Sequence, residues 1–380
     1  MKLLFMGDIN FSDINGLSLD KSKNILSEVQ PYIEDVDFII PNLECPLAVK
    51  ERYTPIKKSG PNLICSPENI CFLKALNTDV VTLANNHIGD FGEGAIIDTI
   101  GLLENNNILY VGVGKNTEDA YKACRIEKHG ISISVLSVCE NEFGMATESN
   151  YGSAGYNPKI LLRRIKEEKN ISDYVIIVFH GGNEFNPLPS PDTVERYRFI
   201  CDMGADAVIA THTHCPQGCE IYNGKPIVYS MGNYFFKKSS KAKNDSWYYG
   251  YMSILEISDI ISLEIIPYKF DIEANKITVF NGENKAKMMN YIDKLSLIIQ
   301  NPKELQLYFT GWAWNHKWCP SLLQNYDNIE EYNASPNFNL ISCEAHLSQL
   351  KEVLRILQED QTDTAKEWAA KISELQNMPL

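Results

Sequence analysis

The sequence predicts an α/β fold followed by a helical C-terminal extension, and three features lead there. From residue 1 to about 270, short apolar runs alternate with amphipathic stretches of helical period, which is the pattern of strand and helix taken in turn. Five of those runs end in residues of metal-binding type. Beyond about residue 284 the runs stop and only helical patterns remain.

The apolar runs cover residues 3–6, 38–40, 80–83, 109–113, 131–138, 175–179, 207–210 and 227–229. They are short and rich in Val and Ile, which fits buried strands better than helices. Between them, residues 22–33, 67–76, 92–104, 158–169 and 192–203 carry apolar side chains at helical spacing. Residues 248–257 and 262–270 are strand-like with no helix between them, so part of the sheet is expected to be antiparallel. Residues 1–283 thus read as one α/β domain, and 284–380 as the extension. Four helices are expected there, at 286–300, 303–314, 343–358 and 364–376. Leu347, Leu350, Leu354 and Leu357 are too few for a coiled coil. They are expected to pack the third helix on the body of the protein, or on a second subunit. The polar, Asn-rich stretch 321–340 reads as a long loop that covers something.

Composition narrows the function classes. A formal net charge of −14 disfavours a general nucleic-acid binder, which needs a basic face to displace counterions, and equally disfavours docking on anionic lipid. No segment approaches the ~20 apolar residues of a membrane helix. Residues 1–8 are too short in apolar length for a secretory leader and read as a first strand, so a cytoplasmic location is expected. The ten cysteines are scattered without disulfide spacing. Cys215 and Cys219, close after His214, read as small loop residues rather than ligands.

Side chains just past the carboxyl ends of neighbouring strands converge on one crevice. Here the runs lead into Gly7-Asp8-Ile9-Asn10, Pro41-Asn42-Leu43-Glu44, Ala84-Asn85-Asn86-His87, His180-Gly181-Gly182 and Thr211-His212-Thr213-His214. Singly, each has an ordinary reading: Gly-Asp is a common turn, Asn-His a common helix cap, and a lone histidine a core residue. Jointly they form a mixed nitrogen and oxygen donor set suited to Mn, Zn, Fe or Mg, without the cysteine pairs of a structural zinc site. So many donors exceed the needs of one ion and suit two bridged by a carboxylate. Such a centre activates water and clamps both oxygens of an in-line displacement. His129, His316 and His346 lack this context and read as structural.

These blocks resemble the calcineurin-type metallophosphoesterases and, more closely, the bacterial capsule-synthesis (CapA-like, poly-gamma-glutamate biosynthesis) family. The likeness continues through Asp90-Phe91-Gly92, Gly112-Val113-Gly114 with Ala120, Glu184 with Pro187, and 204–209. It ends in Pro226-Ile227-Val228-Tyr229-Ser230-Met231-Gly232-Asn233-Tyr234-Phe235. The resemblance implies an α/β/β/α sandwich and a site for up to two divalent ions. Asp8, Asn10 and His214 would hold one, Asn86, His180 and His212 the other, and Glu44 would bridge them. His87 would act as general acid, and Asp90 and Asn233 would orient the metal-binding side chains. The metallophosphoesterase pattern has His where Asn10 stands and Asp where Glu44 stands.

Three functions are consistent with these residues: a metal-dependent hydrolase of phosphoesters or related linkages, acting on an anionic polymer or a phosphorylated small substrate; a non-catalytic accessory protein that binds poly-gamma-glutamate; and a glutamyl amide hydrolase or transferase. An amide oxygen at position 10 is a poorer donor than an imidazole, above all for Zn. The ion near Asp8 is therefore expected to exchange more readily than the one near His180, and Asn10→His to tighten it. Titration of both proteins with Mn and Zn checks this; equally tight binding of two ions by both would show the amide to be harmless.

Overall fold

The computed structural model describes residues 1–12, 14, 16–237, 246–271, 275–317 and 334–379. Its frame is a pair of mixed sheets. The first runs Lys276–Val279, Ile261–Asp271, Tyr249–Ile257, Lys2–Asn10, Phe38–Leu43, Val80–Thr82 and Leu109–Val111 from edge to edge. Its last four strands are parallel and the late hairpin strands antiparallel, as the missing helix between the late runs implied. The second sheet runs Cys219–Tyr222, Lys225–Val228, Ala207–Thr211, Tyr174–His180, Ile131–Cys139 and Cys124–Lys128. Its four central strands are parallel.

Both sheets contribute to a single apolar cluster, with Leu4, Ile40 and Val81 from the first and Val135, Ile177 and Ile209 from the second. Helices on the outside bury only one stripe each. Pro191–Asp202 buries Val194, Tyr197 and Ile200, and Pro158–Glu168 buries Leu161 and Ile165. The architecture is therefore the expected α/β sandwich with a helical C-terminal region.

Register sets the site. Lys2–Phe5 pair with the antiparallel strand Tyr249–Ile257, whereas Asp8–Asn10 pair on the same edge with the parallel strand Asn233–Phe236. The exchange of partners puts Asp8 opposite Asn233 on one side and Asn42 on the other. In the second sheet Thr211, His180 and Cys139 lie level across three strands. The parallel strands of both sheets thus end at one open edge.

Several elements depart from expectation. Residues 22–33 form two short helices, Leu19–Ile25 and Gln30–Glu34, with Pro31 in the first turn of the second, where its missing N–H does no harm. Cys124–Lys128, Cys219–Tyr222, Asn233–Phe236 and Lys276–Val279 are strands too short to stand out as apolar runs. In the extension, helices span Gly282–Ile299, Pro302–Asn315, Ser335–Ser342, Glu344–Gln358 and Thr362–Leu375. The expected loop 321–340 lies partly outside the described residues, and from Ser335 it is helix, with Leu340 buried against Leu350. The leucine stripe holds only in part: Leu350 is buried, whereas Leu354 and Leu357 are exposed. Ala345, Gln349, Val353 and Ile356 share the buried face with Leu350, where Glu352 accepts from Thr310 and Arg355. Among the described residues no helix is long and apolar enough to cross a membrane.

One glycine carries the geometry of the first strand. A Cβ at Gly7 would stand 1.8 Å from the carbonyl oxygen of Gly232, so only glycine lets the two strands meet beside Asp8. Gly7→Ala is expected to lower stability by about 1–3 kcal/mol, the usual cost of overpacking, read as a lower urea midpoint. An unchanged midpoint would mean that the Gly232 turn yields freely.

Candidate metal centre

Asp8 is fully buried where the first strand changes partners. Asn42 Nδ2 donates to its Oδ1 at 2.7 Å, and the His212 backbone N–H donates to Oδ2 at 2.9 Å. The loop that brings His212 across bends sharply. His212 and His214 have φ of +98° and +57°, conformations that non-glycine residues hold only at some energetic cost and most often at functional sites.

Two groups of potential ligands result, Glu44 with His180 and His212, and Asp8 with Glu44 and His214; within each, the donor atoms lie within 4.8 Å of one another. In the first, His180 Nε2 is 3.0 Å from His212 Nδ1, 3.1 Å from Asn86 Oδ1 and 3.7 Å from Glu44 Oε1. The far nitrogen of His180 contacts Thr211 Oγ1 at 3.0 Å, which fixes the ring. In the second, His214 Nε2 is 3.9 Å from Glu44 Oε1, while its Nδ1 meets Asn233 Oδ1 at 2.9 Å. Asn233 thus orients an imidazole from behind, as carboxamides and carboxylates do around metals.

Glu44 belongs to both groups. Both its carboxylate oxygens are buried without a hydrogen-bond partner. A buried carboxylate so placed is strongly unfavourable unless a cation joins it. This orphaned pair of oxygens, ringed by imidazole nitrogens, fits a divalent ion on each side. Burial, reinforced by the charge of Asp8, pushes Glu44 well above the usual carboxylate range. Burial also raises Asp8 to about 6. It drives His212 down to about 3, helped by His346 and His87, and His180 well below its ordinary value. The imidazoles of His180 and His212 are therefore neutral, with lone pairs ready for a metal.

Asn10 is placed differently from the other candidates. Its Nδ2 donates to the Glu44 backbone carbonyl at 2.9 Å, and its Oδ1 accepts from Ser12 N–H at 2.8 Å. Both ends of the amide are engaged in holding the Glu44 segment. His87 lies at the rim of the groups: Nε2 is 4.0 Å from Glu44 Oε1, and Nδ1 is 2.6 Å from Asp90 Oδ2. Asp90 is also paired with Lys58 and accepts from Leu63 N–H at 2.7 Å. Cys215 and Cys219 lie outside both groups. The Cys215 thiol is 3.2 Å from the Asn186 carbonyl, and the Cys219 N–H donates to Ser296 Oγ.

Sequence reasoning missed Lys58, Thr211, Glu142 and the role of Asn42. A polar residue between Pro41 and Leu43, inside a buried strand, was a readable signal for Asn42. Lys58 had none: it sits in a loop, 3% exposed at the side chain only because the loop folds over His87 and Asp90. Glu142 Oε1 stands 3.9 Å from His212 Nε2.

Divalent-ion affinity is expected to rise with pH through about 6 and above, because Asp8 and Glu44 must lose their protons before they can bind whereas His180 and His212 already have. Isothermal titration between about pH 5 and about pH 8 checks this. Affinity flat across that window would remove both raised carboxylates, Asp8 and Glu44, from the ligand set.

Comparison with known proteins places the chain in a family. The model for the bacterial capsule synthesis protein PGA_cap matches residues 2–238. The PGA biosynthesis protein CapA of Bacillus subtilis (strain 168) is 30% identical over 226 residues, 59% of this chain and 59% of its own length. The capsule biosynthesis protein CapA of Bacillus anthracis is 28% identical over 230 residues, 58% of this chain and 56% of its own. The match thus spans less than two thirds of these curated relatives. Among solved structures, a phosphatase from Mycoplasma pneumoniae aligns with a TM-score of 0.46 at 16% identity, over 72% of this chain and 95% of that one. With well over half of its length matched by the family model, the chain belongs to the bacterial capsule synthesis protein family.

Proposed function

We propose that the protein is a metal-dependent hydrolase that cleaves a phosphoester or related linkage in the synthesis or processing of an anionic polymer of the poly-glutamate class. The observation that carries this reading is the buried, unpartnered Glu44 carboxylate shared by two imidazole-bearing ligand groups. Divalent ions held there would supply a water of lowered pKa and a clamp on the oxygens of the reacting group. Asp8, Glu44 and His214 would hold one ion, and Glu44, Asn86, His180 and His212 the other.

The chain's own residues supply the rest. His87 presents Nε2 toward Glu44 while Asp90 grips Nδ1. That grip fixes the ring so that Nε2 can carry a proton to the departing oxygen. Lys58 pairs with Asp90 from the other side and limits its movement. Trp247 and Phe236 pack on His214, with ring centroids 4.5 and 5.3 Å away, and exclude water from that flank.

A second reading, polymer binding without turnover, is favoured by one observation: Asn10 has both amide ends engaged, which leaves the first ion with fewer donors.

His87→Ala is expected to lower turnover of a chromogenic phosphodiester or monoester by roughly 10²–10⁴, with metal content and folding preserved. Elemental analysis and circular dichroism accompany the rate. Wild-type protein loaded with Mn or Zn that turns over neither class of ester, yet binds poly-gamma-glutamate, would establish the accessory role instead.

A further inference from the structure

Asp8, Glu44 and His214 give the ion expected there three protein donors, and the Asn10 amide is already hydrogen-bonded at both ends. A carboxylate not used above stands at the same imidazole. Glu184 Oε1 is 4.0 Å from His214 Nε2, nearly matching the 3.9 Å from that nitrogen to Glu44 Oε1. Two donors on one tetrahedral ion with ~2.1 Å bonds are about 3.4 Å apart, so a small rotation of the Glu184 side chain closes the difference. At 43% exposure that side chain stands at the mouth of the crevice.

Its backbone is not free. The neighbouring residue Asn183 donates through Nδ2 to the Ala345 carbonyl at 3.1 Å, in the helical extension. On the other side Phe185 N–H donates to the Thr213 carbonyl at 2.8 Å, inside the segment that carries His212 and His214. Phe185 adopts a left-handed conformation with φ of +61°, and its ring lies 6.0 Å from that of His214. The loop after Tyr174–His180 is therefore pinned on both flanks of Glu184 and holds the carboxylate over His214. Beneath it the orphaned oxygens of Glu44 mark where a cation is needed.

We infer that Glu184 is the fourth protein ligand of the ion at Asp8, Glu44 and His214, supplying the donor that Asn10 does not. This rests on the metal-centre reading above and adds a negative charge to that ion's shell. An anionic shell of two carboxylates and the shared Glu44 favours hard cations such as Mn or Mg over Zn at this position.

The test is isothermal titration of the full chain, stripped with a chelator and reloaded with Mn or with Zn. Wild-type protein is expected to bind two ions. Glu184→Gln should weaken one of them by at least about tenfold, as loss of an orienting or ligating group does, and leave the other unchanged. Glu184→Asp should fall between. Circular dichroism confirms folding, which an exposed side chain does not threaten. Two ions held by Glu184→Gln as tightly as by wild type would overturn this assignment and leave the metal centre standing. A wild-type chain that takes up no divalent ion would overturn both.

Discussion

A carboxylate with nothing to bond to is the constraint around which the crevice is organised. Glu44 is wholly buried, follows the strand Phe38–Leu43 and faces imidazoles on two sides. Its neighbours are arranged to keep it there. Asn10 holds its backbone carbonyl, and its own N–H donates to Ile9 O at 2.9 Å. In a low-dielectric pocket, an arrangement that denies a carboxylate its ordinary partners is stable only with a compensating cation or a retained proton. The depressed histidines and raised carboxyls are two faces of that same environment.

The surrounding residues convert this constraint into geometry. Asp8 is fixed by Asn42 and by the His212 N–H, His180 by Thr211, His214 by Asn233 and His87 by Asp90. Each donor side chain has its far side held, which keeps rotamers fixed and lowers the reorganisation needed on binding. The left-handed residues at 212, 214 and 185 are the local cost of bringing these groups to one place.

Much of this was legible in the chain. Apolar runs that end in Asp, Glu, Asn or His mark both strand ends and chemistry, because parallel strands deliver their loops to one edge. The strand register, Asn233 opposite Asp8, was not legible, since it depends on an edge shared between two strands far apart in sequence. Nor was the engagement of Asn10, whose side chain type suggested a ligand while its partners are a backbone carbonyl and a backbone N–H. Lys58 lies in a loop without periodicity, and its burial is purely tertiary. The leucine stripe held only at Leu350, because spacing alone does not say which side of a helix meets the body; Leu354 and Leu357 face solvent while Val353 and Ile356 are buried.

The partition of donors between the layers has a mechanical side. Asp8 and Glu44 come from the first sheet, whereas His180, His212 and His214 come from the second. Across this open edge the His212 N–H donates to Asp8, Asn42 reaches His180 Nδ1 at 3.2 Å, and His180 Nε2 lies 3.1 Å from Asn86 Oδ1. An ion seated in either group would act as a rivet between the layers. Loading would then set how readily the sandwich parts at this end, and with it how long the chain survives proteases when metal is scarce.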